Sequence, residues 1–283
     1  MGVKASIIIR TFDSERTIGD VLNAVSRQSF TDREIVIVDS GSSDDTLKIA
    51  RRYPHVFVDI SGRPFGYGAS LNAGISASSG EYAVCLSSHC IPLREDWLAS
   101  LLKVMEADDS LVGVWGPLVF ERRDGHGPAG GVEIMDLDGF YRQPNRGLQN
   151  SNSIVRRSLW EERPFSEEVP TAEDQDWAHH FLMRGYRTAL VGSAPVLYRI
   201  PHGPVRHGRK LYREFLVLND MFGHEPDVNV TNLLGNLARL AGAVILGRRS
   251  PWTSAKVFAG MVGVWRARRT LRSRDRKRHK GTP

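Results

Sequence analysis

The sequence predicts an α/β fold: a mostly parallel sheet with helices on both faces, followed by a helical, basic C-terminal tail. Three observations predict it. Through the first half of the chain, short apolar runs of strand length alternate with segments whose apolar residues recur at helical spacing. The first two runs lead into carboxylates and turn residues, in Ile9-Arg10-Thr11-Phe12-Asp13 and in Val38-Asp39-Ser40-Gly41. From Pro226 onward the strand signals stop and only helical periodicity continues. Such alternation places helices on both sides of a sheet, and sheets of this kind bind ligands beyond the C-terminal ends of their strands.

The elements follow in order. Residues 6–9 form an apolar run, and Ile18, Val21, Leu22 and Val25 mark a helix after it. Residues 34–39 predict a second strand and 46–53 a helix, with Ser42 to Asp44 as its capping region. Residues 56–58 read as a third strand, 69–77 as a helix and 82–86 as a fourth strand. Trp97, Leu98, Leu101, Leu102 and Met105 set the apolar face of the next helix, before a fifth strand at 111–114. The Gly, Pro and charge content of 121–150 predicts loops. A helix at 174–184 and a strand at 188–191 come next. Leu233, Leu237, Leu240, Val244 and Ile245 form an apolar helical stripe, and a last helix covers about 254–271.

Composition narrows the class. The chain has 283 residues, 41% hydrophobic and 25% charged, which suits a globular protein with a core large enough to need no staples. Its two cysteines, Cys85 and Cys90, read as reduced thiols and predict a cytoplasmic setting. The N-terminal apolar run is too short for a signal-peptide core, and no apolar run approaches the ~18 residues that cross a bilayer. The net charge of +6 is uneven: residues 266–280 hold nine Lys or Arg and one Asp, so the remainder is slightly acidic.

The strand-end residues carry the chemistry. A carboxylate followed by a Gly/Ser turn can accept from base N–H groups or ribose hydroxyls, and the glycine permits close approach. Taken alone, Asp39 and Asp44 could equally shape a turn and cap a helix. Their context decides. Val38-Asp39-Ser40-Gly41-Ser42-Ser43-Asp44-Asp45-Thr46 resembles the Val-Asp-x-Gly-Ser-x-Asp-x-Thr signature of the family-2 inverting glycosyltransferases. Residues 6–13 resemble that family's opening Ile-Ile-x-Pro-Thr-Tyr-Asn, with Arg10 in place of Pro and Asp13 in place of Asn. Gln28-Ser29-Phe30, Ala69 to Gly74 and Gly80-Glu81-Tyr82 resemble further elements in the same order. The resemblance implies a GT-A-type, Rossmann-like mixed sheet, a UDP-, dTDP- or GDP-sugar donor and a divalent metal, Mn or Mg. It implies Thr11, Asp13 and Asp39 at the nucleoside.

One departure matters. Where the family has Asp-x-Asp after the fourth strand, this chain has Ser87-Ser88-His89. Ser87 can still hydrogen-bond ribose or phosphate, and His89 is expected as a metal ligand or phosphate contact, since imidazole suits Mn²⁺ better than Mg²⁺. Of His202 and His207 downstream, His202, among Gly and Pro residues, is the preferred second candidate metal ligand. In the acceptor half, Ala172-Glu173-Asp174-Gln175-Asp176-Trp177 resembles Gly-Glu-Asp-x-Asp-Leu. The resemblance places Asp174 as the base that deprotonates the acceptor hydroxyl and Glu173 as an acceptor contact. These acids also suit a helix N-terminus. The chain lacks Gln-x-x-Arg-Trp, which predicts a non-processive enzyme, and the resemblance implies a hexosyltransferase type.

The sequence therefore divides into a catalytic domain at 1–225, with a nucleotide-sugar half (1–115) and an acceptor half (116–225), and a tail at 226–283. A glycan or lipid-linked acceptor is expected, in surface polysaccharide or glycolipid biosynthesis. An apolar helix face beside a polybasic run suits an anionic membrane at the inner face of the plasma membrane; the same helices could instead pack on the domain or form a homodimer contact. Gly66-Tyr67-Gly68 lies too late for a dinucleotide fingerprint, and the body has no basic stripe for nucleic acid. The rival reading is a catalytically silent glycosyltransferase-like protein that binds a nucleotide or a partner.

Overall fold

The isoleucine run at the N-terminus lies in a longer strand than its apolar residues mark, because Arg10 and Thr11 continue the ladder. The computed structural model describes residues 2–120, 130–142, 147–199, 203–224, 230–245 and 251–280. In chain order the first elements are β1 (Ala5–Thr11), α1 (Ile18–Ser26), β2 (Arg33–Asp39), α2 (Thr46–Ala50), β3 (Val56–Asp59), α3 (Tyr67–Ser76), β4 (Tyr82–Ser87), β5 (Cys90–Pro92), α4 (Trp97–Ala107), β6 (Leu111–Trp115) and β7 (Leu118–Val119). Then come β8 (Val132–Met135), α5 (Leu137–Arg142), β9 (Asn152–Arg156), α6 (Arg157–Glu162), α7 (Glu173–Leu182), β10 (Arg187–Val191) and β11 (Val196–Tyr198). The C-terminal helices are α8 (Pro204–Phe222), α9 (Val230–Ile245) and α10 (Pro251–Lys280).

Eight of the described strands form one mixed sheet, in the order β3-β2-β1-β4-β9-β6-β10-β8. β3, β2, β1 and β4 are parallel; β9 is antiparallel to both β4 and β6, and β8 is antiparallel to β10. A small second sheet, β5-β11-β7, stands beside the end of β4. Successive strand residues face opposite sides. On one side Ile8, Val36 and Val38 join Leu71 and Ile75 of α3 and Trp177 and Phe181 of α7 in a buried cluster. On the other, Ile7, Ile9 and Ile37 are fully buried as well, so both faces of the sheet are covered.

Two of the motif residues explain this packing. A Cβ on Gly74 would sit 2.4 Å from the Ile8 side chain and 2.7 Å from that of Val38, so only glycine lets α3 lie this close to the sheet. Asn72 locks the other side of α3. Its amide donates to the Phe165 carbonyl and Glu167, and its oxygen accepts from Trp160 Nε1 and the Phe165 N–H. Gln28 does the same for α1, bonding the Ala24 and Arg94 carbonyls and the Leu98 N–H.

The sequence expectation differs from the structure in places. Within 121–150, expected as loops, lie β8 and α5; Phe140 of α5 is fully buried, which pays for ordering a Gly-rich segment. The helix expected over 46–53 ends at Ala50 and continues as a turn. The chain divides into two compact units, 1–199 and 200–283, so the division drawn from sequence at 225 falls inside the second. There α8 packs on α10, where a Cβ on Gly263 would meet the Gly208 carbonyl oxygen at 2.0 Å.

Candidate active site

β1, β2 and β4 deliver their C-terminal ends side by side, with Thr11 opposite Asp39 and Arg10 opposite Ser87. Asp39 is 2% exposed. Its Oδ1 accepts from Thr11 Oγ1 at 2.8 Å and Ser42 Oγ at 2.5 Å, and its Oδ2 from the N–H groups of Gly41 and Ser42 at 2.9 and 2.8 Å. Gly41 turns the chain there with a φ of 95°, a conformation glycine adopts without strain. Asp39 thus pins the loop after β2 with a full set of acceptor bonds.

A second set of bonds ties this loop to the one after β1. Asp13, held at a φ of 44°, donates its N–H to Ser42 Oγ and accepts from the Ser43 N–H at 2.8 Å. The Ser14 N–H donates to Thr46 Oγ1, the Glu15 N–H to Asp44 and the Asp45 N–H to Glu15. Burial pushes the Asp44 carboxyl up, but hydrogen bonds from Thr46 and Glu15 outweigh it and hold the group below its ordinary value. Ser14 Oγ lies 2.8 Å from Ser88 Oγ, which joins β4 to the same cradle.

The acidic N-terminus of α7 comes to this edge. Ala172, at a φ of 67°, turns the chain into the helix. Glu173 is 5% exposed; its Oε1 accepts from Asn150 Nδ2 at 3.4 Å and lies 4.0 Å from Arg10 Nη1. Asp174 is half-buried and accepts from the N–H groups of Asn150 and Gln175. Three acids in the first turn suit the positive end of the helix dipole. Burial pushes the Cys85 thiol up to about 12; Arg10 and a hydrogen bond with Ser153 oppose the rise, while Glu173 and Asp174 add to it.

The structure brings Thr11, Asp13, Asp39 and Ser87 to neighbouring strand ends and sets Glu173 next to Arg10 across the sheet edge. The His89 ring, two residues beyond Ser87, meets Tyr198 edge-on at 5.0 Å, and its carbonyl accepts from the Arg199 N–H. His202 lies outside the described residues. Sequence reasoning noted Arg10 only as a departure and passed over Asn150. Arg10 carried a signal, a charge one residue before the end of an apolar strand; Asn150 carried none, since its place depends on the loop that leads into β9.

A Rossmann-like mixed sheet with a polar cradle at its strand ends and an acidic helix terminus beside it is the GT-A arrangement of glycosyltransferases. Residues 6–163 match the model of glycosyl transferase family 2, and the chain belongs to that family. It is 36% identical over 84 residues to a cholesterol galactosyltransferase of Borreliella burgdorferi, a match covering 29% of this chain and 24% of that one. It is 28% identical over 196 residues to glycosyltransferase AglE of Haloferax volcanii, covering 64% and 62%. The matched stretches thus span less than two thirds of either relative. A mannosyltransferase of Pyrobaculum calidifontis, solved in complex with GDP-Man and Mn²⁺, shares the fold, with a TM-score of 0.62 at 18% identity over 95% of this chain and 87% of that one.

The family implies a divalent metal near the end of β4. Among the described residues, no three His, Cys, Asp or Glu side chains gather as a metal-binding group. Among the described residues, the donors that follow directly on β4 are the buried hydroxyls of Ser87 and Ser88 and the imidazole of His89. Mg²⁺ and Mn²⁺ favour carboxylate oxygens, and that donor set does not fit them.

Proposed function

We propose that the chain moves a sugar from a nucleotide-diphosphate sugar to a hydroxyl acceptor with inversion, one residue at a time, in surface polysaccharide or glycolipid biosynthesis. The observation that carries this reading is the delivery of the α7 N-terminus to the ends of β1 and β4, with Glu173 4.0 Å from Arg10. It is supported by the family match and by the cradle around Asp39.

The nucleoside of a UDP-, dTDP- or GDP-sugar lies on the cradle of Thr11, Asp13 and Asp39, whose internal bonds hold it ready before the ligand arrives. Ser87 donates its hydroxyl to ribose or phosphate. Glu173 orients the acceptor. Asp174 takes the proton of the acceptor hydroxyl as that oxygen bonds the anomeric carbon, and the bond from that carbon to the diphosphate breaks on the opposite side. The sugar leaves inverted and the nucleoside diphosphate departs with the bonding electrons.

Incubating the protein with each sugar nucleotide and a panel of glycan and lipid-linked acceptors tests this, with release of nucleoside diphosphate as the readout. Acceptor-dependent release is expected. Nucleotide binding without release under any acceptor would favour the catalytically silent alternative.

The C-terminal unit supports a peripheral location on an anionic membrane at the inner face of the plasma membrane. No helix among the described residues is long and apolar enough to cross a bilayer. Leu234, Leu237, Ile245 and Trp252 are nevertheless exposed, and α10 buries Gly260, Gly263, Val264, Ala267 and Leu271 while Arg266, Arg269 and Arg272 face solvent. Exposed apolar side chains beside a polybasic helix suit such a surface, each basic residue adding about 1 kcal/mol. Flotation with phosphatidylserine vesicles should be strong for the wild type, weakened by salt and weakened by glutamate at Arg266, Arg269 and Arg272; equal flotation of wild type and variant contradicts it.

A further inference from the structure

We propose that the Arg10 guanidinium, rather than a divalent cation, supplies the positive charge that holds the donor diphosphate. The proposal rests on the glycosyltransferase reading above and names how that site binds its donor.

Two departures from the family pattern coincide in space. Arg10 stands where the family has proline, and Ser87 where it has the first aspartate of Asp-x-Asp. The β1–β4 register sets these two residues opposite each other. Strand alternation puts both on the face that α3 and α7 cover. One neighbour has lost a carboxylate and the other has gained a cation. A carboxylate at position 87 would pair with Arg10 and neutralise it, so the serine leaves the charge available to a ligand.

The surroundings of Arg10 agree. Its side chain is 13% exposed, in a strand otherwise apolar from Ile7 to Ile9. A buried charge is costly unless opposed, and the opposing groups here are distant. Nη1 reaches the Tyr67 carbonyl at 3.4 Å and Glu173 Oε1 at 4.0 Å, both at the outer limit of their kind. The guanidinium carbon lies 5.3 Å from the Tyr67 ring centre, a contact that holds the plane without using its N–H groups. A guanidinium presents several N–H donors in a planar fork that matches phosphate oxygens. Ser87, opposite, adds a hydroxyl donor. When the anomeric bond breaks, negative charge builds on the departing diphosphate, and a cation fixed in a largely buried site stabilises it without rearrangement.

Calorimetric titration of the full chain with UDP, dTDP and GDP, in EDTA and in Mn²⁺, tests this. The wild type should bind one of them with a Kd that agrees within about twofold between the two conditions. Arg10→Gln should weaken that nucleotide about tenfold or more while changing binding of the matching nucleoside by less than about twofold, the loss expected for a charged hydrogen bond to phosphate. Arg10→Lys should recover part of the loss. Ser87→Asp provides a second reading should Arg10→Gln fail to fold: its carboxylate competes for Arg10, so affinity in EDTA should fall. Binding that vanishes in EDTA and returns with Mn²⁺ overturns the proposal alone, as does an unchanged Kd in Arg10→Gln or Ser87→Asp. Failure of the wild type to bind any of the three nucleotides in either condition overturns the glycosyltransferase reading, and this proposal with it.

Discussion

Asp39 and Asp174 stand at the same edge of the sheet in different circumstances. Asp39 is closed off, 2% exposed, with four donors from Thr11, Gly41 and Ser42 converging on it. Asp174 is half-buried in the first turn of α7, where backbone N–H groups stabilise negative charge and the side chain keeps part of its solvent exposure. A carboxylate built into a loop organises its surroundings; one held at an open helix end can take a proton. On the proposed reaction, the donor side is a rigid scaffold of satisfied polar groups, and the acceptor side a partly exposed charge.

The largest effect expected from this contrast is at Asp174. Asp174→Asn keeps the shape and removes the proton acceptor, so kcat should fall by about a hundredfold or more. Nucleotide affinity and thermal stability should stay near the wild type. Steady-state turnover alongside calorimetry reads both, and near-wild-type kcat would end the assignment.

Asp39 should behave oppositely, with stability and binding lost together. Asp39→Ala strips partners from Thr11, Gly41 and Ser42, which should lower stability by on the order of 3 kcal/mol and weaken nucleotide binding. Urea unfolding and calorimetry measure the two. A variant that binds poorly yet unfolds like the wild type would make Asp39 a ligand contact alone and blur the contrast.

Asn72 sharpens it from outside the site. Asn72→Ala leaves Trp160 Nε1 and the Phe165 N–H without their acceptor, so stability should fall by about 2 kcal/mol with nucleotide affinity unchanged. Asp44 gives the smallest effect. Its folded-state pKa lies below the unfolded value, so its contribution is present above about pH 4 and is lost as pH falls through the folded pKa. The acid limb of the stability curve should be shallower in Asp44→Asn, and an identical slope would remove Asp44 from the cradle's electrostatics.

The same contrast governs what the sequence disclosed. β1, β2 and β4 were legible because each is a run of apolar residues ending on polar ones, and Asp39 stood at the end of such a run. β9 was not read as a strand: its buried side chains include Asn152 and Ser153, which break the apolar pattern because Asn152 bonds Trp97 Nε1 and the Ala194 carbonyl inside the sheet. α5 was hidden by the Gly and Pro around it, although Phe140 anchors it. Glu173 and Asp174 came from the motif they resemble, whereas the approach of Arg10 to Glu173 spans 163 positions of chain and exists only once the sheet is assembled.

The most direct test of the account is the anomeric configuration of the product. Proton NMR of the glycoside formed from an α-linked sugar nucleotide in the presence of a working acceptor should show a β linkage, as direct displacement assisted by Asp174 requires. An α-linked product would mean retention of configuration and would contradict the mechanism built on that residue.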